Sequence, residues 1–134
     1  MSYPHWQEVP LRWKDNDVYG HVNNVVHYAL MDTVINTWLI ERGGLDIESG
    51  PVIGLCVESK CSYHASVSFP DTLRIGLRVA HLGRSSVRYE IGMYSAAETL
   101  VAEGHFVHVF VDRESRRPVA VEGKLREALA ELAL

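Results

Sequence analysis

The chain has 134 residues, 47% hydrophobic and 22% charged, with a formal net charge of −4 at pH 7. That is the mix of an ordinary folded chain, long enough for one domain with a real core over residues 1–134, and it excludes a disordered or collagen-like chain. The acidic balance also argues against a broad basic surface that would hold a nucleic-acid backbone by counterion release. No window approaches the ~20 apolar residues that span a bilayer. The first six residues carry neither the basic cluster nor the apolar run of a secretory signal, so a cytoplasmic protein is expected.

In chain order, Glu8–Trp13 predicts a short first strand, with Pro10 suited to an edge or a strand start. A polar loop follows, Asp15 to Asn24. Val25–Arg42 predicts one helix: Met31, Val34, Ile35, Trp38 and Leu39 recur at helical spacing, and Gly43-Gly44 supplies the stop. Val25, Val26, Ala29, Leu30 and Ile40 widen its apolar stripe beyond what a surface helix needs, so other structure should wrap it.

After Gly50-Pro51 the period changes to two. Leu73, Ile75, Leu77 and Val79 alternate with polar residues or glycine, and so do Val87, Tyr89, Ile91 and Met93, which predicts two half-buried strands. Leu82-Gly83-Arg84-Ser85 and Ser95-Ala96-Ala97-Glu98 read as short turns, hence antiparallel neighbours. Val52–Tyr63 and Leu100–Val111 are apolar on both faces. One face can take the helix and the other a second copy of the chain. Gly123–Leu132 predicts a short terminal helix. The expected class is α+β, a curled antiparallel sheet around one long helix.

Cys56 and Cys61, five apart on a predicted strand, should face opposite ways about 16 Å apart, too far to pair, and buried free thiols are expected.

The loop before the helix carries the chemistry. Asp15-Asn16-Asp17-Val18-Tyr19-Gly20-His21-Val22-Asn23-Asn24 delivers polar groups to the mouth of the most apolar helix. Turn and cap duties explain such residues equally well. The functional alternative uses the free amides of a helix N-terminus to polarise a carbonyl, with a nearby carboxylate to direct water.

This loop, leading into a long apolar helix and followed by Leu82-Gly83-Arg84-Ser85-Ser86 and by Val109-Phe110-Val111-Asp112-Arg113 with Arg117-Pro118, resembles the hotdog-fold acyl-CoA thioesterases of the 4-hydroxybenzoyl-CoA thioesterase type. The likeness runs from about Leu11 to Pro118. It implies a sheet wrapped around the helix, a homodimer or a homotetramer built as a dimer of dimers, and an acyl-CoA substrate. It also implies Asp17 as catalytic carboxylate, three residues before Gly20, and the backbone amide near Asn24 as the activating donor. His27, His64 and Asp32 depart from the residues common at those positions, Tyr, Pro and Glu, and those departures bear on the acyl group more than on the reaction class.

On this reading Asp17 acts as general base or as nucleophile, while His21, Asn23 and Asn24 orient it, the water or the thioester; His21 serves equally as loop packing. Tyr19 and Gly20 are placed with the substrate, and His27, Met31 and Tyr63 as walls of an apolar acyl slot. The phosphates of coenzyme A need local basic groups. Arg84 and Arg88 with Ser85 and Ser86 form one candidate, and Arg113, Arg116 and Arg117 another, although turn arginines are often merely solvated.

Neither a cofactor nor a metal is expected. His105 and His108, three apart on a strand, face opposite sides, and His21 and His27 lack a ligand spacing. A serine nucleophile lacks its Gly-x-Ser-x-Gly elbow. The rival readings are an acyl-thioester hydratase or dehydratase of the same fold, and a non-catalytic acyl-CoA binding module.

Overall fold

The computed structural model describes residues 2–133. Its elements in order are β1 (His5–Pro10), a 3-10 turn (Trp13–Asp15), α1 (Asn24–Glu41), β2 (Val52–Tyr63), β3 (Thr72–Leu82), β4 (Ser86–Tyr94), β5 (Leu100–Asp112) and α2 (Gly123–Ala130). The five strands form one antiparallel sheet in the order β1-β3-β4-β5-β2. This is the hotdog arrangement, and α1 packs against one face of the sheet.

The periodicities translate directly into packing. Leu30, Met31, Val34, Ile35, Trp38 and Leu39 of α1 share one core with Leu73, Ile75 and Leu77 of β3, Tyr89, Ile91 and Met93 of β4, and Phe106 and Phe110 of β5. The helix stops where the double glycine predicts: Gly43 N–H donates to Trp38 O, Leu45 N–H to Leu39 O, and Gly44 takes φ +68°, the left-handed turn that glycine enters without strain.

Three expectations are corrected. The first strand is His5–Pro10 rather than Glu8–Trp13, because it pairs with β3 from His5–Leu77 to Pro10–Thr72, after which the chain turns. Cys56 is exposed and Cys61 half-buried, both free thiols, because β2 is an edge strand. A bulge between Cys56 and Glu58 adds a residue to β2, so Cys56 pairs with His108 and Cys61 with Gly104. Those partners are four apart on β5, which brings the two cysteines to the same face instead of opposite ones.

Among the described residues no helix is long and apolar enough to cross a membrane.

Candidate active site

The loop between β1 and α1 is built in two steps. In the first, Asp15 is buried, and its carboxylate accepts from Arg12 N–H at 2.8 Å and from the Arg12 guanidinium at 3.0 Å. Burial pushes this carboxyl up, but the bonds and charge of Arg12, helped by Lys14, outweigh it and hold it below the usual range. Asp15 O then accepts from Asn23 N–H at 3.0 Å, which pins the start of the helix.

In the second step Asn16 bridges to Val22, Asp17 N–H donates to His21 O at 2.9 Å, and Gly20 N–H to Asp17 O at 3.1 Å. Gly20 sits at φ +86° to close this turn. Asp17 Oδ1 accepts from Tyr19 N–H at 2.8 Å, an Asx turn that fixes one carboxylate oxygen. Among the described residues no donor meets Oδ2. The turn is fastened to the segment after β2, through Val22 N–H to Val67 O at 2.8 Å and Phe69 N–H to Asn16 Oδ1 at 3.0 Å.

Asn23, not Asn24, is the helix cap. Its backbone is extended (φ −61°, ψ 136°), its side chain accepts from Val25 N–H at 3.0 Å, and its carbonyl accepts from Val26 N–H at 2.9 Å. Among the amides that open α1, the Asn24 N–H is the one left without an acceptor among the described residues.

Beside it opens a cleft of about 450 Å³. One wall is Asp17, His21, Val22, Asn24 and His27; the other is Tyr63 with His64, Ala65, Ser66 and Val67. Tyr63 OH donates to Asn24 O at 2.9 Å and meets the His27 ring edge-to-face at 4.9 Å. His27 is buried, and burial lowers its pKa below the ordinary imidazole value against the pull of the Asn23 and Asn24 carbonyls. His64 Nε2 lies 3.2 Å from Glu103 Oε1. Asp17 and Asn24, the residue with the open helix-start amide, thus line one cleft, and a carboxylate and a free amide are the groups that adding water to a polarised carbonyl calls for.

Of the residues expected here from the sequence, Asp17, His21, Asn24, His27 and Tyr63 come together. Tyr19 and Gly20 shape the Asp17 turn, with the Tyr19 side chain exposed, and Asn23 spends its side chain on the cap. Met31 is fully buried in the main core rather than at the cleft wall.

The basic groups lie elsewhere in the protomer. Arg84 and Ser85 form the β3–β4 turn and Ser86 opens β4 beside Val109, whereas Tyr63 pairs with Ala102, and the seven-residue step along β5 between those partners spans about 23 Å. Arg88 is 3.9 Å from Glu58 on the sheet's other face. Arg116 and Arg117 are exposed in the turn after β5. Arg113 is not available for phosphate: its guanidinium donates to Gly50 O at 2.6 Å and Ile47 O at 2.8 Å, holding the loop before β2.

Of the wall from His64 to Val67, only His64 is marked in the sequence, through the family resemblance; nothing local marks Ala65, Ser66 and Val67, which are delivered by the end of β2. Among the described residues no group of three His, Cys, Asp or Glu side chains is arranged to hold a metal ion.

The family model of the thioesterase-like superfamily matches residues 11–129. The PA5185 protein from Pseudomonas aeruginosa strain PAO1 is 57% identical to this chain, with a TM-score of 0.94 over 98% of this chain and 92% of that one. Slr0204 from Synechocystis, a 1,4-dihydroxy-2-naphthoyl-CoA thioesterase, is 17% identical at a TM-score of 0.86, covering 95% and 96%. The SAV2348 protein from Staphylococcus aureus, solved in complex with CoA, is 14% identical at 0.82, covering 95% and 82%. The last two likenesses speak to the fold. Because the match from residue 11 to residue 129 runs through the Asp17 turn, the opening of α1 and the end of β2, every part that builds the cleft lies inside it, and the chain belongs to the thioesterase-like superfamily.

Proposed function

We propose that this protein hydrolyses acyl-CoA thioesters to a free acid and CoA in the cleft at the start of α1. The observation that carries the reading is that Asp17, anchored by one oxygen, and the unpartnered Asn24 N–H belong to the same cleft. The amide receives the thioester oxygen, where one such donor is worth about 2.7–4 kcal/mol to the transition state. Asp17 takes a proton from water, worth about 10²–10⁴-fold, or attacks the carbonyl itself. The CoA thiolate is a good leaving group and asks for no dedicated acid.

The functional unit in this reading is a homodimer, with a dimer of dimers as the larger assembly. β2 is a twelve-residue edge strand with Leu55 36% and Val57 60% exposed, and its open backbone edge is available to pair with another chain. Antiparallel pairing of two β2 strands about a two-fold axis brings the Val52 end of one beside the Tyr63 end of the other. Val52 pairs with Asp112, so the turn after β5 travels with it. The partner's Arg116 and the partner's Arg117 then approach the cleft, where CoA phosphates need them. A fold relative solved with CoA supports this ligand class.

The test follows free thiol release from short, long and aromatic acyl-CoAs with wild type and Asp17→Asn. Asparagine keeps an oxygen for the Tyr19 N–H, so the turn survives. Loss of ~10²-fold or more is expected. Full activity in the variant removes Asp17 from the mechanism, binding without turnover by wild type indicates a non-catalytic module, and enoyl-CoA hydration without thiol release indicates a hydratase.

A further inference from the structure

We propose that His27 is a specificity-determining residue, and that the cleft is built for acyl groups carrying a hydroxyl on the second or third carbon. The proposal rests on the hydrolase reading and names the substrate class within it.

The argument begins with which polar groups in the cleft still need a partner. Tyr63 OH is spent on Asn24 O, His64 Nε2 on Glu103, and His21 Nδ1 leans on Val22 O at 3.4 Å. Asp17 Oδ2 and the Asn24 N–H are reserved for water and the thioester. His27 differs from all of these. It is 4% exposed, its Nδ1 is sealed from solvent with no hydrogen bond, and among the described residues no bond reaches its Nε2. The carbonyls nearest its ring, Asn23 O and Asn24 O, accept from Val26 N–H and Tyr63 OH, and neither lies in hydrogen-bond geometry with Nδ1. A ligand in the cleft can reach only Nε2, the ring nitrogen that is not sealed, and an acyl chain that covers it leaves it unpaired at a cost unless the chain brings a hydrogen-bonding group of its own.

The chemistry of the ligand group follows by elimination. The imidazole is neutral in this burial, so it does not attract an anion, and Asp17 in the same cleft repels one; a second carboxylate on the acyl group is disfavoured. A neutral imidazole presents either N–H or a lone pair at the ring edge facing the cleft, depending on tautomer. A hydroxyl serves both cases, because it donates and accepts. A plain alkyl chain serves neither and buries the nitrogen unpaired.

Helix geometry sets the position of the hydroxyl. His27 follows Asn24 by three residues, on the same helix face and about 4.5 Å further along the axis. With the thioester oxygen on the Asn24 N–H, the acyl chain leaving along the helix meets the imidazole two or three carbons out.

The experiment compares butanoyl-CoA with its 2-hydroxy and 3-hydroxy derivatives, by kcat/KM for thiol release and by calorimetric binding of the corresponding non-hydrolysable amide analogues. Wild type is expected to favour one hydroxylated acyl group over the plain one by about 10- to 100-fold. His27→Phe keeps a flat ring and removes both nitrogens, and brings that ratio to about 1; His27→Gln restores a donor and an acceptor and recovers part of it. A merely structural role lowers all substrates together and leaves the ratio unmoved, which overturns the proposal. So does a wild-type ratio near 1. Thiol release without hydroxyl preference sinks this inference and leaves the hydrolase standing. A His27-dependent preference among the amide analogues without thiol release does the reverse.

Discussion

Replacing Asn24 by proline removes one amide hydrogen and leaves the surrounding fold in place. Proline is favoured at the first position of a helix, where its missing N–H breaks no helical bond. The residue before a proline must be extended, and Asn23 already is, at φ −61° and ψ 136°. The cap from Asn23 to Val25 N–H and the bond from Tyr63 OH to the residue 24 carbonyl both survive. The lost side chain is exposed and is controlled by Asn24→Ala, which keeps the N–H. Stability should therefore shift by less than about 1 kcal/mol in either variant. If this amide receives the thioester oxygen, the proline variant loses one oxyanion donor, about 2.7–4 kcal/mol, or 10²–10³ in kcat relative to alanine. The assay is kcat for thiol release on the best acyl-CoA, run beside thermal unfolding of both variants. Equal kcat for the proline and alanine variants, with both folded, would refute the assignment of this amide and with it the reason for placing the carbonyl at the helix start.

Two further outcomes follow. Val57→Lys puts a charge on the open edge of β2, so light scattering should move from a multiple of the 15.1 kDa chain to the single chain, with activity lost alongside; a wild-type monomer with full turnover contradicts the paired-edge arrangement. The pH dependence of stability carries a definite sign. His108 is buried, has its Nδ1 3.1 Å from the Tyr89 hydroxyl, and has its pKa lowered by burial, with Asp32 pulling more weakly the other way. The unfolded chain therefore takes up a proton at this site before the folded one does. Stability should fall as pH drops below about 6.5, and more gently in His108→Gln; parallel slopes in thermal unfolding would show that another group governs the acid limb.

The parts of this protein that local patterning encodes are legible in its sequence, and the parts that long-range register encodes are not. β3 and β4 can be read because burial on one face imposes an apolar residue at every second position. β1 cannot be placed that way, since His5 faces the helix with a polar ring tilted against Trp38 at 4.7 Å, and the alternation is lost. The bulge in β2 falls at Val57, where no glycine marks it, yet it reverses the facing of one cysteine relative to the other.

The cleft divides along the same line. An Asn-Asn pair before an apolar run says where a helix is capped, and once the cap falls on Asn23 the next amide must be the open one; Asp17 lies in the same short turn, so both halves of the proposed chemistry share one stretch of chain. The opposite wall arrives some 40 residues later, because the pairing of Tyr63 with Ala102 decides which side chains β2 delivers at its end. On the proposed reading, reaction type is written in a ten-residue loop, whereas acyl preference depends on what a distant strand end and the His27 imidazole present to it. Substitutions at His27 and His64 should accordingly redirect substrate choice, whereas loss of the Asp17 carboxylate or of the residue 24 amide hydrogen should slow turnover of every substrate together.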